Sequence, residues 1–230
     1  MITTNVVQRV FFIRYQSSAA SSFTVEKNNK QYLATVRHLF KADSDKPPYP
    51  FNVNHGDALN LSIFHDNQWK NIKCTVYFHE QIDIDIALLE IPSDISPRHT
   101  LVPNSQGVLL GQSVYFLGFP FEMFGDASNL NRSFPFPFVK QAILSAHKKG
   151  NNEEVIFFFD GHNNPGFSGG PVVFRENNRS GFRICAVVRG YIPQEGTITT
   201  NQGVANYTEN SGIIISYDIK HLNEIIESIE

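Results

Sequence analysis

The run Gly166-Phe167-Ser168-Gly169-Gly170-Pro171 sets one hydroxyl nucleophile among three glycines and a proline. Such a run is costly inside a helix or a central strand. It suits a loop of special backbone shape built around one reactive side chain. The turn-rich segment Asp160-Gly161-His162-Asn163-Asn164-Pro165 precedes it, and the apolar Val172-Val173-Phe174 follows. Two readings compete: a nucleophilic serine on a rigid loop, or a tight turn joining two strands. If the serine does chemistry, that chemistry is acyl transfer. A serine hydroxyl is then a poor nucleophile until an adjacent base, usually His, takes its proton. A carboxylate must in turn orient that base.

The chain has eight histidines. His38 ends the segment Gln31-Tyr32-Leu33-Ala34-Thr35-Val36-Arg37-His38, where a β-type run stops and the chain turns. Asp85 leads directly into the apolar run Ile86-Ala87-Leu88-Leu89, a sheltered position for a carboxylate that bonds an imidazole. Asp83, two residues earlier, is the rival carboxylate. His55, His65, His79, His99, His147 and His221 show no HExxH or similar spacing, which argues against a zinc hydrolase. Gly166-Phe167-Ser168-Gly169-Gly170 also fits G-x-S-x-G, the nucleophile elbow of α/β-hydrolases. That elbow needs a helix directly after the serine and a histidine late in the chain. Gly169-Gly170-Pro171-Val172-Val173-Phe174 starts a helix poorly, and only His221 follows late enough.

The elements that must position these residues are short β-type runs separated by turn signals, the pattern of an all-β barrel or sandwich. Strands are expected at Val6 to Tyr15, Ser22 to Lys27, Gln31 to Thr35, Leu59 to Phe64, Asn71 to His79 and Ile86 to Ile91. Further strands are expected at Ser113 to Leu117, Val139 to His147, Val155 to Phe159, Pro171 to Phe174, Phe182 to Gly190 and Gly212 to Tyr217. Asn28-Asn29 reads as a hairpin turn, and Lys41 to Pro50 as a surface loop. Pro92 to Arg98 is the expected linker, splitting the strands into two groups: two barrels or sandwiches side by side. The segment Phe119 to Phe138, rich in Phe, is expected to be anchored to the core by its aromatics. Leu222, Ile225, Ile226 and Ile229 recur at helical spacing after Asp218, a suitable N-cap.

Composition narrows the function classes. The 230 residues suffice for a substantial core. A net charge of -3 gives no sign of nucleic-acid or anionic-membrane binding. No apolar run reaches the length of a membrane span. The two cysteines, Cys74 and Cys185, sit in apolar stretches and read as reduced core residues. With no signal-peptide pattern at Met1-Ile2-Thr3-Thr4-Asn5, the expected location is cytoplasmic by default, with export by another route left open.

In the order His38, Asp85, Ser168, and in these contexts, the chain resembles the chymotrypsin-like (trypsin-fold) serine peptidases. The resemblance is strongest to the bacterial trypsin-like peptidase domains, including the catalytic domain of HtrA-type proteases. It rests on Tyr32 to His38, Asp85 to Leu89, Gly118-Phe119-Pro120, Ala142 to Ala146, Asn164 to Pro171 and Gly212 to Tyr217. It implies two six-stranded antiparallel β-barrels side by side with a C-terminal α-helix. Residues 1–97 would form the first barrel, with His38 and Asp85, and 98–217 the second, with Ser168. Residues 218–230 would form a helix docked on the second barrel.

The resemblance also implies roles. Ser168 would attack the scissile carbonyl of a peptide or protein substrate. His38 would carry the proton, and Asp85 would hold the His38 tautomer. The Gly166 and Ser168 N–H groups would form the oxyanion hole, with the glycines keeping Cβ atoms out of the substrate's way. No cofactor or metal is implied, and no nucleic-acid or membrane partner. His162 would lie at the base of the specificity pocket with Arg189 near it. Ala186 to Tyr191, including Gly190, would form one wall and pair with the substrate backbone; Gly212 would line the other. Such a pocket would disfavour Lys or Arg at the cleavage site. Three departures stand out. Phe167 replaces the Asp that pairs with a freed amino terminus in digestive relatives. The chain opens Met1-Ile2-Thr3-Thr4, and Leu39 replaces the Cys of disulfide-bearing relatives. No PDZ-like segment is expected after the helix. The rival from another class is a catalytically silent trypsin-fold binding module.

Overall fold

A computed structural model of the chain describes residues 2–41, 53–98, 101–126, 128–151, 153–176, 181–201 and 203–229. The loop expected at Lys41 to Pro50 lies, from position 42 on, outside the described residues. A short helix α1 (Thr4–Val7) leads into β1 (Val10–Tyr15), β2 (Ser18–Lys27), β3 (Lys30–Thr35), β4 (Ala58–His65), β5 (Gln68–Phe78) and β6 (Ala87–Glu90). The predicted first strand therefore begins four residues late, and Val6 and Val7 are buried from a helical turn instead. The six strands close a barrel in the order β1-β2-β3-β6-β5-β4. Two of its hairpins turn on residues that tolerate positive φ: Asn28 (47°) and Asn29 (61°), then Asp66 (56°) and Asn67 (57°). Both central residues being left-handed is the condition for a two-residue turn that matches strand twist.

The second group is β7 (Val102–Pro103), β8 (Ser113–Gly118), β9 (Phe138–Lys149), β10 (Val155–Asp160), β11 (Pro171–Arg175), β12 (Phe182–Thr200) and β13 (Gly203–Asp218). It forms a seven-stranded sheet ordered β11-β8-β9-β10-β13-β12-β7, one strand more than expected. β11 also pairs with β12, so the sheet curls back on itself. β12 and β13 run well beyond their predicted ends. The extensions, rich in Thr, Gly and Asn, lack the apolar alternation that marks a half-buried strand.

Helix α2 (Lys220–Ser228) begins after Asp218, whose carboxylate accepts the Lys220 N–H at 2.9 Å. Leu222, Ile225 and Ile226 are buried in the core that Ile84, Ile86 and Leu88 of the first group share. The helix thus contacts β6 as well as β13, and is not docked on the second group alone. Within 119–138, Phe119 stacks on Phe12 (centroids 5.2 Å) and Phe134 sits edge-on to Phe11 (4.8 Å), so the aromatics tie this segment to the first barrel. Both cysteines are buried free thiols; burial pushes Cys74 up to about 12 and raises Cys185 as well, which leaves both unreactive. Among the described residues no helix is long and apolar enough to cross a membrane.

Candidate active site

β3 ends at Thr35, and Arg37–Phe40 then form a single 3₁₀ turn. Leu39 and Phe40 are buried, which seats the turn and leaves His38 half-buried at the surface. Asp85 lies between the fully buried Ile84 and Ile86, which fix the segment entering β6 and turn the carboxylate toward His38. One carboxylate oxygen meets His38 Nδ1 at 2.6 Å. The other accepts the His38 backbone N–H at 2.8 Å. The rival Asp83 is exposed, and its carbonyl accepts the Tyr217 hydroxyl at 2.5 Å. His38 and Asp85 are thus brought together at the same end of the antiparallel β3–β6 pair, where the last residue of β3, Thr35, is matched with the first of β6, Ala87.

The nucleophile loop is held by its glycines and by the first barrel. Gly166 (φ +103°) and Gly169 (φ +84°) are left-handed. A Cβ on Gly166 would stand 2.2 Å from the Phe119 carbonyl oxygen; on Gly169, 2.1 Å from the Ser21 carbonyl oxygen; on Gly170, 2.0 Å from that of Leu117. The glycines are therefore required by close approach of the loop to neighbouring backbone. This differs from the expectation that they clear space for a substrate.

Ser21 of β2 is the hub of that approach, and nothing in the sequence marked it. Its N–H donates to the Ser168 carbonyl (2.9 Å) and its hydroxyl to the Gly166 carbonyl (2.6 Å). The hydroxyl also accepts the Phe119 N–H (3.0 Å), and Thr35 Oγ1 donates to the Ser21 carbonyl (2.9 Å). A lone serine in a strand carries no signal of such a role. Phe167 points the other way, fully buried and edge-on to Phe116 (4.9 Å). Apolar packing therefore anchors the loop at Phe167.

The Phe121 N–H donates to the Pro165 carbonyl at 2.9 Å. In a planar trans peptide the carbonyl and the following N–H point in opposite directions. Gly166 N–H is thereby turned to the side away from Phe121. Among the described residues neither the Gly166 nor the Ser168 N–H has a protein acceptor. The Ser168 hydroxyl donates to the Arg189 carbonyl at 2.9 Å and makes no hydrogen bond to His38 in this structure.

His162 is exposed, and its carbonyl accepts the Lys140 ammonium. Lys140 also reaches Asn164 Oδ1 at 3.0 Å, and burial lowers its pKa. The Arg189 side chain turns toward Asp85, with Nε 3.6 Å from the oxygen that meets His38. A Cβ on Gly190 or on Gly212 (φ +80°) would meet open space.

A second ionisable cluster lies away from this site. His79, His221 and Glu224 converge, with Glu224 Oε2 at 2.9 Å from His79 Nε2 and 2.7 Å from His221 Nδ1. Their opposite ring nitrogens accept backbone N–H groups: Gln81 at 3.1 Å on His79 Nδ1, and Val155 at 2.9 Å on His221 Nε2. A metal bound to the inner nitrogens would force protons onto the outer ones, facing those N–H donors. The donor set therefore fits two neutral imidazoles bonded to one carboxylate, and does not fit a metal. His79 and His221 stand far apart in sequence, so spacing offered no sign of the cluster.

The model of the family described as "Trypsin-like peptidase domain" matches residues 20–181. Among solved structures the chain is similar to the Rv3671c protease of M. tuberculosis in an inactive form, with 14% identity, a TM-score of 0.57, and coverage of 97% of this chain and 90% of that one. It is also similar to the HtrA-type protease AlgW with a tripeptide, with 18% identity and a TM-score of 0.61. That match covers 98% of this chain and 61% of AlgW. At these identities the likeness is one of fold. Among curated proteins none matches the chain in sequence.

Proposed function

Since the chain belongs to the trypsin-like peptidase domain family, we propose that it is a serine endopeptidase with His38, Asp85 and Ser168 as its catalytic residues. The observation that carries this reading is the double grip of Asp85 on His38, at Nδ1 (2.6 Å) and at the backbone N–H (2.8 Å). With the Nδ1 proton held by the carboxylate, Nε2 is the basic nitrogen left to take a proton. The Ser168 hydroxyl must leave the Arg189 carbonyl to reach that nitrogen, and Arg189 links the two groups, since its side chain lies 3.6 Å from the Asp85 oxygen that meets His38. Apo sites often tighten such bonds only when substrate binds.

In this mechanism Ser168 Oγ adds to the scissile carbonyl carbon while His38 Nε2 takes its proton. The oxygen that becomes negative is met by the Gly166 and Ser168 N–H groups, each free of a protein acceptor among the described residues. His38 returns the proton to the amine, the C–N bond breaks, and an acyl ester remains on Ser168. Water, deprotonated by His38, adds to the ester; the acyl C–O bond breaks as His38 passes the proton to Ser168 Oγ, which frees the acid and restores the site. Asp85 stays ionised throughout and stabilises the imidazolium. The Phe121–Pro165 bond and the buried Phe167 support a hole formed without a freed amino terminus. In the same reading the curled second sheet is the second barrel, with β7 an added strand. His162 in this reading belongs to the specificity pocket, and its exposed ring with the nearby Lys140 ammonium would favour acidic or small-to-medium apolar residues over Lys or Arg at the cut.

One observation favours the binding-module reading: the Ser168 hydroxyl is engaged by the Arg189 carbonyl. Turnover of a mixed peptide library by the wild type and by Ser168→Ala separates the two. Cleavage lost in Ser168→Ala supports the peptidase; equal cleavage, or none in either protein, supports the module.

A further inference from the structure

β12 passes the nucleophile at Arg189, whose carbonyl accepts the Ser168 hydroxyl. Up to Val187 the β12 edge on that side is paired with β11. Beyond it β11 ends, yet β12 continues to Thr200. From Pro193 to Thr200 it is paired with Asn210 to Gly203 of β13. Among the described residues this ribbon has no other strand partner on either edge.

Two-stranded ribbons are marginal in water, and a third strand with an apolar face is what usually makes them stable. This ribbon offers such a face. Gly196 lies opposite Tyr207 and Ile198 opposite Ala205, on the same side. Ile198 is 52% exposed and Tyr207 41%. The Tyr207 ring lies so close over Gly196 that a Cβ there would be 2.4 Å from it. Proteins usually blunt an open edge with Lys, Pro or a bulge. Between Tyr191 and Ser211 there is no Lys or Arg. Pro193 is the single proline and lies at the register shift after Tyr191, so both interruptions fall at the start of the ribbon, and the pairing runs on without a shift from Pro193 to Thr200. Glu195 and Glu209 are the only charges.

We propose that the edge of β12 from Pro193 to Thr199 that faces away from β13 is a binding track for the substrate segment that precedes the cleaved bond, added as a third antiparallel strand. This rests on the peptidase reading of Ser168. The occupant follows from continuity: a chain whose carbonyl reaches Ser168 beside Arg189 and runs antiparallel to β12 enters the ribbon edge with its residues N-terminal to the cut. At about 3.4 Å per residue, Arg189 to Thr200 spans about 40 Å, or some ten substrate residues. Main-chain hydrogen bonds would supply the affinity, as in other strand-addition sites. The segment must be extended, and the two carboxylates favour neutral or basic residues over acidic ones.

The test uses fluorescein-labelled peptides and the Ser168→Ala protein, which holds them uncleaved. One peptide carries four residues before the cut; a second carries ten, alternating Thr and Val; a third places Glu in the added positions. Binding is read by anisotropy. The long neutral peptide should bind about tenfold tighter than the short one, the worth of one or two net hydrogen bonds. The Glu peptide should lose most of that gain. Replacing residues 194–209 with Asn-Gly should abolish the gain and leave the short peptide unchanged. Because that variant is a large change, a long peptide N-methylated at alternate added residues repeats the test on the intact protein and should bind like the short one. Equal affinity for short and long peptides, or a gain that survives N-methylation, overturns the proposal. So does sedimentation of the intact chain as a dimer that the shortened ribbon abolishes, since a second copy would then be the third strand. Turnover of the short peptide by the wild type is scored separately: if it fails while long peptides still bind through the ribbon, the peptidase reading has failed and the track has not.

Discussion

Asp85 grips His38 twice, once at the ring through Nδ1 (2.6 Å) and once at the backbone N–H (2.8 Å). The ring bond selects the tautomer with its proton on Nδ1. The backbone bond prevents the 3₁₀ turn from sliding relative to β6. The same carboxylate oxygen that meets the ring also lies 3.6 Å from Arg189 Nε, so the negative charge is shared with a cation from the strand that passes Ser168.

Asp85→Asn keeps the shape of this contact and reverses its logic. An amide NH₂ facing Nδ1 favours the tautomer with the proton on Nε2, where the base should be. Turnover of a peptide substrate should fall by about 10⁴ with little change in KM. A fall below tenfold would remove Asp85 from the proposed machinery.

Ser21→Ala leaves the Gly166 carbonyl and the Phe119 N–H without their shared partner at a fully buried position. The cost should be about 1–3 kcal/mol of unfolding free energy in urea. Because Gly166 also carries a proposed oxyanion donor, kcat should fall further than the loss of folded protein explains. A stability loss with unchanged kcat would make Ser21 purely structural.

Phe167→Ala empties a site packed against Phe116 and should destabilise by about 3–5 kcal/mol. Phe167→Asp should be at least as damaging, since it buries a carboxylate in an apolar core. If Phe167→Asp were as stable as wild type in denaturant titration, the Lys140 ammonium, 5.7 Å from the centre of the Phe167 ring, would have to leave its own partners and pair with the new carboxylate.

The His79–Glu224–His221 cluster predicts a dependence of stability on pH. Burial lowers the His221 pKa from its ordinary 6.5, against the raising effect of Glu224 and with Lys220 and His79 also lowering it. Tyr217 and His79 present their ring edges or faces to His221, and Glu153 lines the same hollow. A depressed histidine stays neutral in the fold while the unfolded chain takes up a proton. Stability is therefore complete above about pH 6.5 and declines as pH falls below it, until the folded state also titrates. Glu224 adds a loss at lower pH. Burial would raise it, but the bonds from His79 and His221 outweigh that and hold it below 4.5. The unfolding free energy should drop between pH 7.5 and pH 5.5, and His221→Gln, which can still accept the Val155 N–H, should shrink that drop. An equal drop in the variant would assign it to other groups.

Much of this was legible from residue types. The serine among glycines, the histidine at a strand end and the carboxylate before an apolar strand are local signals. Asn28-Asn29 announced its turn because few residue pairs accept positive φ twice. The rest was hidden for physical reasons. Ser21 acts through a backbone carbonyl and an N–H, which any sequence supplies. The long β12–β13 ribbon is solvated on both faces, so it lacks the period-2 burial that identifies strands. α1 is one turn long, below the window in which helical periodicity can be read. The side of Arg189 facing Asp85 depends on a strand register set by residues far away in the chain.

An activated Ser168 is read out by a fluorophosphonate reagent, which reacts only where a base and an oxyanion site cooperate. On the native protein, labelling followed by peptide mapping should place one phosphonyl group on Ser168. The label should vanish in Ser168→Ala and slow by several orders of magnitude in His38→Ala. Folded wild-type protein that resists the reagent, or a His38→Ala protein that labels as fast as wild type, would show that Ser168 is not activated by His38.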